Sequence, residues 1–197
     1  MKYENEHIST NAPRMGNSLT RWIGDMILKA MGWKMVGKLP DRKKLIVIGG
    51  PHTSNWDLFL VIGSMLSVGL KFSWMMKKEA FFWPLGGLWK ALGGMPIDRS
   101  AKLDVIGQVE AIFETNETIW MGLTPEGTRS KVERYKTGYL RMAKAANVPL
   151  FIIAIDGENK RVVLDRLWEP SEDIETENAA IKSYIETQFS GIRPERV

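Results

Sequence analysis

The sequence predicts an α/β fold: a mixed, mostly parallel central sheet with helices on both faces, preceded by an amphipathic N-terminal helix. Three observations lead there. Short apolar runs rich in β-branched residues and closed by Gly or Pro read as buried strands, as in Leu45-Ile46-Val47-Ile48 before Gly49-Gly50-Pro51. Between them lie segments whose apolar residues recur at helical spacing, and strand–helix alternation is the pattern of an α/β sheet. Finally, 197 residues that are 44% hydrophobic and 25% charged suit one globular unit burying roughly 70% of its unfolded surface.

Each element follows from its local pattern. The polar first fifteen residues, His7 among them, carry no signal-peptide pattern and are expected to fray. Residues 18–35 read as the first helix, with Leu19, Trp22, Ile23, Met26, Ile27, Ala30 and Met31 on one face and Asn17 or Ser18 as cap. Strand 45–48 leads through Gly-Gly-Pro to a helix over 58–70, with Asn55 or Asp57 available to cap it. Residues 71–75 read as a strand, 79–92 as an aromatic, broken helix, and 95–97 as a short strand. A helix over 103–113 turns Ile106, Val109, Ile112 and Phe113 inward, followed by strand 118–123, helix 139–146 and strand 149–155. A weaker strand at 161–164 and a terminal helix over 178–189, built on Ile181, Tyr184 and Ile185, complete the chain. The division expected is an N-terminal tail and membrane-surface helix over 1–43, then the main α/β domain over 44–197.

Composition excludes several kinds of chemistry. With no cysteine there is no disulfide, thiolate nucleophile or Cys-based zinc site, and two histidines make a His-rich metal site unexpected. No stretch reaches the ~18–20 apolar residues a spanning helix needs, so an intracellular protein, soluble or lying on a membrane surface, is expected. Net charge is +4, but Lys29, Lys34, Lys38, Arg42, Lys43 and Lys44 face only Asp41 in one block. Such a block suits anionic lipid or nucleic acid. The eight tryptophans and eleven methionines favour lipid, and no nucleic-acid-binding motif is present. Phe81, Phe82, Trp83, Leu85, Leu88 and Trp89, flanked by Lys77, Lys78 and Lys90, are expected to be partly exposed at a membrane.

The candidate chemistry lies at strand ends. His52 follows Gly49-Gly50-Pro51, and Asp57 stands five residues on. On an ideal helix such residues point about 140° apart, so they meet only if the intervening turn is not helical, which Gly-Gly-Pro favours. A carboxylate on one imidazole nitrogen fixes the tautomer and leaves the other nitrogen free to take a proton. Two further strand ends carry Asp98-Arg99 and Thr124-Pro125-Glu126-Gly127-Thr128-Arg129-Ser130. If these strands are parallel neighbours, His52, Asp57, Arg99, Glu126 and Arg129 gather at one rim, where open α/β sheets bind ligands. The two guanidinium groups suit a phosphate, and the Gly127 and Thr128 amides suit an anion. Glu126 is placed to orient an arginine or to accept from a substrate hydroxyl.

In this order, His52 and Asp57 in HTSNWD, then Gly94, Ile97, Asp98 and Arg99, then Pro125 to Arg129 as PEGTR, then Val148-Pro149 before an apolar strand, the chain resembles the glycerolipid acyltransferases. These are the PlsC-like 1-acyl-sn-glycerol-3-phosphate acyltransferases, and the resemblance covers residues 45 to 156. It implies transfer of a fatty acyl group from acyl-CoA or acyl carrier protein to a lysophospholipid hydroxyl, with no cofactor and no metal. It implies His52 as general base, Asp57 as its orienting partner, and Arg99, Glu126, Gly127, Thr128 and Arg129 as holders of the acceptor's phosphate. Ser54, beside the base, is an alternative acyl-carrying nucleophile, although the family pattern implies direct transfer. Residues 44–197 would then be the acyltransferase domain, on the cytoplasmic face of the membrane. The acceptor stays open between lysophosphatidate, another lysolipid and a different amphiphilic alcohol. A non-catalytic lipid binder of the same fold and a thioester hydrolase are the rival readings.

Overall fold

The computed structural model describes residue 7 and residues 9–91, 93–97 and 105–197. Its strands are β1 (Lys34–Gly37), β2 (Lys44–Gly50), β3 (Ser73–Lys77), β4 (Gly94–Ile97), β5 (Ile119–Leu123), β6 (Leu150–Asp156) and β7 (Arg161–Trp168). Its helices are α1 (Ser18–Met31), α2 (Asp57–Val68), α3 (Leu85–Ala91), α4 (Val105–Thr115), α5 (Gly138–Ala145) and α6 (Ile174–Gln188). The strands form one seven-stranded sheet in the order β1-β7-β6-β2-β5-β3-β4. All pairings are parallel except that of β6 with β7. This is the mixed, mostly parallel architecture expected.

Strand β2 lies at the centre, and its period-two pattern divides the core. Ile46 and Ile48 face α4, α5 and α6, where Val109, Phe113, Leu140, Ile181 and Ile185 are buried. Leu45 and Val47 face the opposite side, against Met65 and Val68 of α2. Burying one such aliphatic side chain is worth roughly 1.5–3 kcal/mol, and a strand apolar on both faces is held in register by both layers at once.

The first helix differs from expectation. It stops at Met31 because Gly32 adopts the left-handed conformation (φ 72°) and closes the helix with its amide on the Leu28 and Lys29 carbonyls. Residues 34–37 then become an edge strand paired with β7. The apolar spacing of Trp33 and Met35 mimics a continuing helix, and only the glycine betrays the stop. Asn17 caps α1 in a capping box with Thr20. Two described residues before α1 are tied down: the Leu39 amide donates to the His7 carbonyl (3.0 Å), and Asn11 donates to Asp41 from its amide and side chain (2.8 and 2.9 Å).

Other boundaries move for local reasons. The aromatic segment is a 3-10 turn at Lys78–Ala80 followed by α3, with Pro84 just before the helix. Its exposure is as expected: Trp83 is 91% accessible, and Phe82 and Leu88 are exposed as well. Helix α6 begins at Ile174, where the Asp173 side chain accepts from the Thr176 amide, a start hidden in an acidic stretch.

Helices α1 and α2 run antiparallel and nearly touch. A Cβ on Gly24 would fall 2.2 Å from the Ser67 amide nitrogen and 2.6 Å from the Gly63 carbonyl oxygen. Asp25 accepts from the Ser67 hydroxyl beside this crossing. Gly24 and Leu28 face inward, while Leu19, Trp22, Ile23 and Met26 form an exposed apolar stripe along α1. Gly24→Ala should therefore cost about 1–3 kcal/mol, because the obstructing atoms are backbone. Gly87→Ala in α3, where a Cβ meets nothing within 4 Å, should be neutral or stabilise by up to about 1 kcal/mol. Denaturant unfolding of the two variants beside the parent checks both.

Candidate active site

The parallel pairing of β2 with β5 sets the site. Ile48 registers with Leu123, so the loops leaving these two strands emerge side by side at one rim. Residues 51–56 make a non-helical turn after β2, and α2 begins at Asp57 with no side-chain cap at Trp56. Instead of capping the helix, Asp57 turns back into that turn. Its Oδ2 accepts from His52 Nδ1 at 2.6 Å and from the Thr53 and Ser54 amides at 3.0 and 3.1 Å. Oδ2 already accepts two amide N–H groups, so it serves as the acceptor at this contact too, with Nδ1 as donor and Nε2 not engaged by Asp57. Asp57 is buried, while the His52 side chain is 23% accessible.

Glu126 comes from the loop after β5 and is buried. Both its oxygens accept from the His52 backbone amide, at 2.8 and 3.1 Å, and the Tyr135 hydroxyl lies 3.5 Å from Oε1. The carboxylate expected to orient an arginine or take a substrate hydroxyl thus holds the main chain of the histidine. Burial is the main cause that pushes its pKa up to about 7, with the nearby Asp57 charge adding to it and the His52 amide and imidazole opposing. Burial and the Glu126 charge likewise push the Tyr135 hydroxyl up.

The next three residues point outward. Gly127, Thr128 and Arg129 are exposed on the same loop, and the Ser130 amide donates to the Thr128 hydroxyl at 3.4 Å. Lys136 joins them: its amide donates to the Pro125 carbonyl (3.0 Å), and a Cβ on Gly127 would meet its Nζ at 2.7 Å. Sequence reading missed this cation, whose only signal is a lysine following the loop at a distance. The loop after β4 would carry Asp98 and Arg99, which lie outside the described residues. Ser54 is buried, and its hydroxyl accepts from the Trp56 amide at 3.2 Å. Among the described residues no cluster of His, Cys, Asp or Glu is placed to hold a metal ion.

The family model described as Acyltransferase matches residues 34–156, which contain the turn, the β5 loop and Lys136. The chain belongs to the acyltransferase family. It is 31% identical over 117 residues to a chloroplastic 1-acyl-sn-glycerol-3-phosphate acyltransferase of Brassica napus, over 55% of this chain and 33% of that protein. The chain thus spans about a third of that relative's length. The crystal structure of the 1-acyl-sn-glycerophosphate acyltransferase PlsC from Thermotoga maritima shares the fold, with a TM-score of 0.61 at 18% identity over 85% of this chain and 75% of that one. Strand β7, helix α6 and the tail that follows lie beyond the family-matched segment.

Glu126 gives this family member a measurable pH dependence. Its folded-state pKa of about 7 exceeds the ordinary carboxyl value of 4.5, so the folded protein binds the proton more tightly. That contribution to stability is fully present below the ordinary value and is lost as pH rises through about 7. Between pH 5 and 8 the parent should lose roughly 2–4 kcal/mol relative to Glu126→Gln. Paired unfolding curves across that range test it.

Proposed function

We propose that this chain is an O-acyltransferase that moves a fatty acyl group from acyl-CoA or acyl carrier protein to the hydroxyl of a lysophospholipid such as lysophosphatidate. The observation that carries the reading is the 2.6 Å contact of His52 Nδ1 with buried Asp57, inside the family-matched segment. His52 Nε2 takes the proton of the acceptor hydroxyl as its oxygen attacks the thioester carbonyl carbon. The carbonyl oxygen becomes an oxyanion. When it collapses, the C–S bond breaks and the departing thiolate takes the proton back from the imidazolium. The products are an ester and a free thiol, with atoms and charge in balance. Gly127, Thr128 and Arg129, with Arg99 and the added cation Lys136, bind the acceptor's phosphate. Glu126 acts on the backbone of His52. That the Ser54 hydroxyl is buried and engaged with Trp56 supports direct transfer rather than an acyl-serine intermediate.

The reading includes peripheral docking on the cytoplasmic face of an anionic membrane. No helix among the described residues is long and apolar enough to cross a membrane. The exposed stripe of α1, the exposed Trp56, Leu58 and Phe59 at the start of α2, and Phe82 and Trp83 before α3 supply apolar contact.

Incubation with acyl-CoA and a panel of lysolipids, with products read by mass, tests the chemistry. Acylated lipid is expected, and free fatty acid alone would make the protein a hydrolase. His52→Ala should keep the fold and lower turnover by about 10²- to 10⁴-fold; a variant with full activity would remove His52 from the mechanism.

Docking has its own test, shaped by topology. Strand β1 runs opposite to β2, so Lys34 stands at the active rim, while Lys38 and Lys43 fall at the opposite ends of their strands. Lys29 in the last turn of α1 and Lys160 before β7 lie at the same rim as Lys34. Reversing Lys29, Lys34 and Lys160 should weaken binding to phosphatidylserine-containing vesicles by about 1 kcal/mol per residue. Reversing Lys38 and Lys43 should change it little in the same flotation assay.

A further inference from the structure

The tail after α6 lies outside the family-matched segment, yet it reaches the candidate active site. The Arg193 amide donates to the Thr53 hydroxyl oxygen at 3.0 Å, across 140 residues of sequence. Two residues earlier, Gly191 presses its backbone against the turn. A Cβ there would fall 2.8 Å from both Oγ1 and Cγ2 of Thr53 and 3.4 Å from Cβ of Pro51. Gly191 also holds a left-handed φ of 67°, which side chains with a Cβ adopt at a cost. The tail therefore touches the neighbours of His52 on both sides in sequence, and only glycine fits where it does so.

The tail is itself fixed. The Gly191 amide donates to the Ile155 carbonyl at the end of β6 (3.0 Å), and the Glu158 amide donates to the Ser190 hydroxyl (3.1 Å). A Cβ on Gly157 would fall 1.6 Å from the Gly191 carbonyl oxygen, so the two backbones lie in direct contact. Ile192 packs into the small core formed by Leu28, Leu60, Ile155 and Val162. A segment held at three such places transmits a position instead of following one. Thr53, which is 1% accessible, passes that position on, since its own amide donates to the oxygen of Asp57 that holds His52.

We infer that residues 190–193 are a strap that positions the His52–Asp57 pair through Thr53, making Thr53 and Gly191 positioning residues for the reaction. The path is a continuous series of hydrogen bonds: Arg193 amide to Thr53 hydroxyl, Thr53 amide to Asp57 carboxylate, and Asp57 to the imidazole. A buried threonine with a merely structural role would lower stability and leave the ring alone. A strap that sets the ring's geometry acts on the rate, because misplacing reacting groups by about 1 Å can cost ~10²-fold. The rate readout rests on the acyltransferase reading above; the state of the imidazole does not.

The test compares Thr53→Val, which keeps the shape and removes the acceptor, with Thr53→Ser, which keeps the hydroxyl, and with Gly191→Ala. Each is made in the full chain on a His7→Gln background, so that nitrogen-15 NMR sees one histidine. In the parent, Nδ1 should carry the proton and a single tautomer should dominate. Folded Thr53→Val should show a mixture of tautomers, with kcat for lysophosphatidate and acyl-CoA down about tenfold and both KM values within about twofold. Thr53→Ser should restore the single tautomer, and Gly191→Ala, where it folds, should resemble Thr53→Val. A folded Thr53→Val protein with the parent's single tautomer overturns the inference. Because that signal needs no turnover, an inactive parent would count against the acyltransferase reading and leave the strap to be judged by NMR alone.

Discussion

Three N–H groups converge on one oxygen of Asp57, those of the His52 ring and of the Thr53 and Ser54 backbones. That convergence makes the turn after β2 a fixed object instead of a loop. A short stretch of chain normally leaves its amides to water or to a neighbouring strand. Here a single buried carboxylate collects two of them, and the ring that shares it must point the same way. The first turn of α2 carries Asp57 and β2 carries the chain into the turn, so the geometry of the pair is inherited from two regular elements packed in the core. Sites built on such elements hold their side chains better than sites on free loops.

A second carboxylate serves the same turn from behind. Burying Glu126 works against its ionised form, as the upward push on its pKa records. The parallel pairing of β2 and β5 forces the two loops together, and a buried acceptor there answers the His52 amide, which Asp57 does not reach. Stability is thus lowered at neutral pH to keep the histidine backbone in place, a trade common where a site needs more order than folding alone would supply. Within one short loop the duties divide by direction: Glu126 points into the protein and Gly127, Thr128 and Arg129 point out of it.

What could be read from the sequence depended on how far apart the partners lie. The strands β2, β5 and β6 were legible from their apolar runs, and α1, α2 and α5 from helical spacing. The pairing of His52 with Asp57 was legible because five residues and a Gly-Gly-Pro leave few alternatives. The bond from the His52 amide to Glu126 spans 74 residues and uses a backbone donor, which has no sequence signature. The same holds for the Arg193 amide on Thr53. Strand β1 was hidden because Trp33 and Met35 continue the apolar spacing of α1 after its stop at Gly32, and the start of α6 because its cap lies in an acidic stretch.

Charge clustering in sequence proved a poor guide to charge clustering in space. The lysines from 29 to 44 read as one basic block, but the chain reverses within it, passing along β1 and returning into β2, so the block is divided between opposite ends of the strands. Of the cations beside the active rim, Lys29 and Lys34 come from this block and Lys160 from the β6–β7 turn, where its carbonyl accepts from the Lys34 amide. The apolar pattern behaves differently. Leu19, Trp22, Ile23 and Met26 keep their helical spacing and stay exposed, although α1 has a buried partner in α2 and the inward positions Gly24 and Leu28 to satisfy it. Single exposed apolar residues need no explanation, but a stripe of four on the outer side of an already packed helix does. On the function proposed above, a lipid surface reached by both the stripe and the rim cations would account for it, with the same geometry that would bring an amphiphilic substrate to His52.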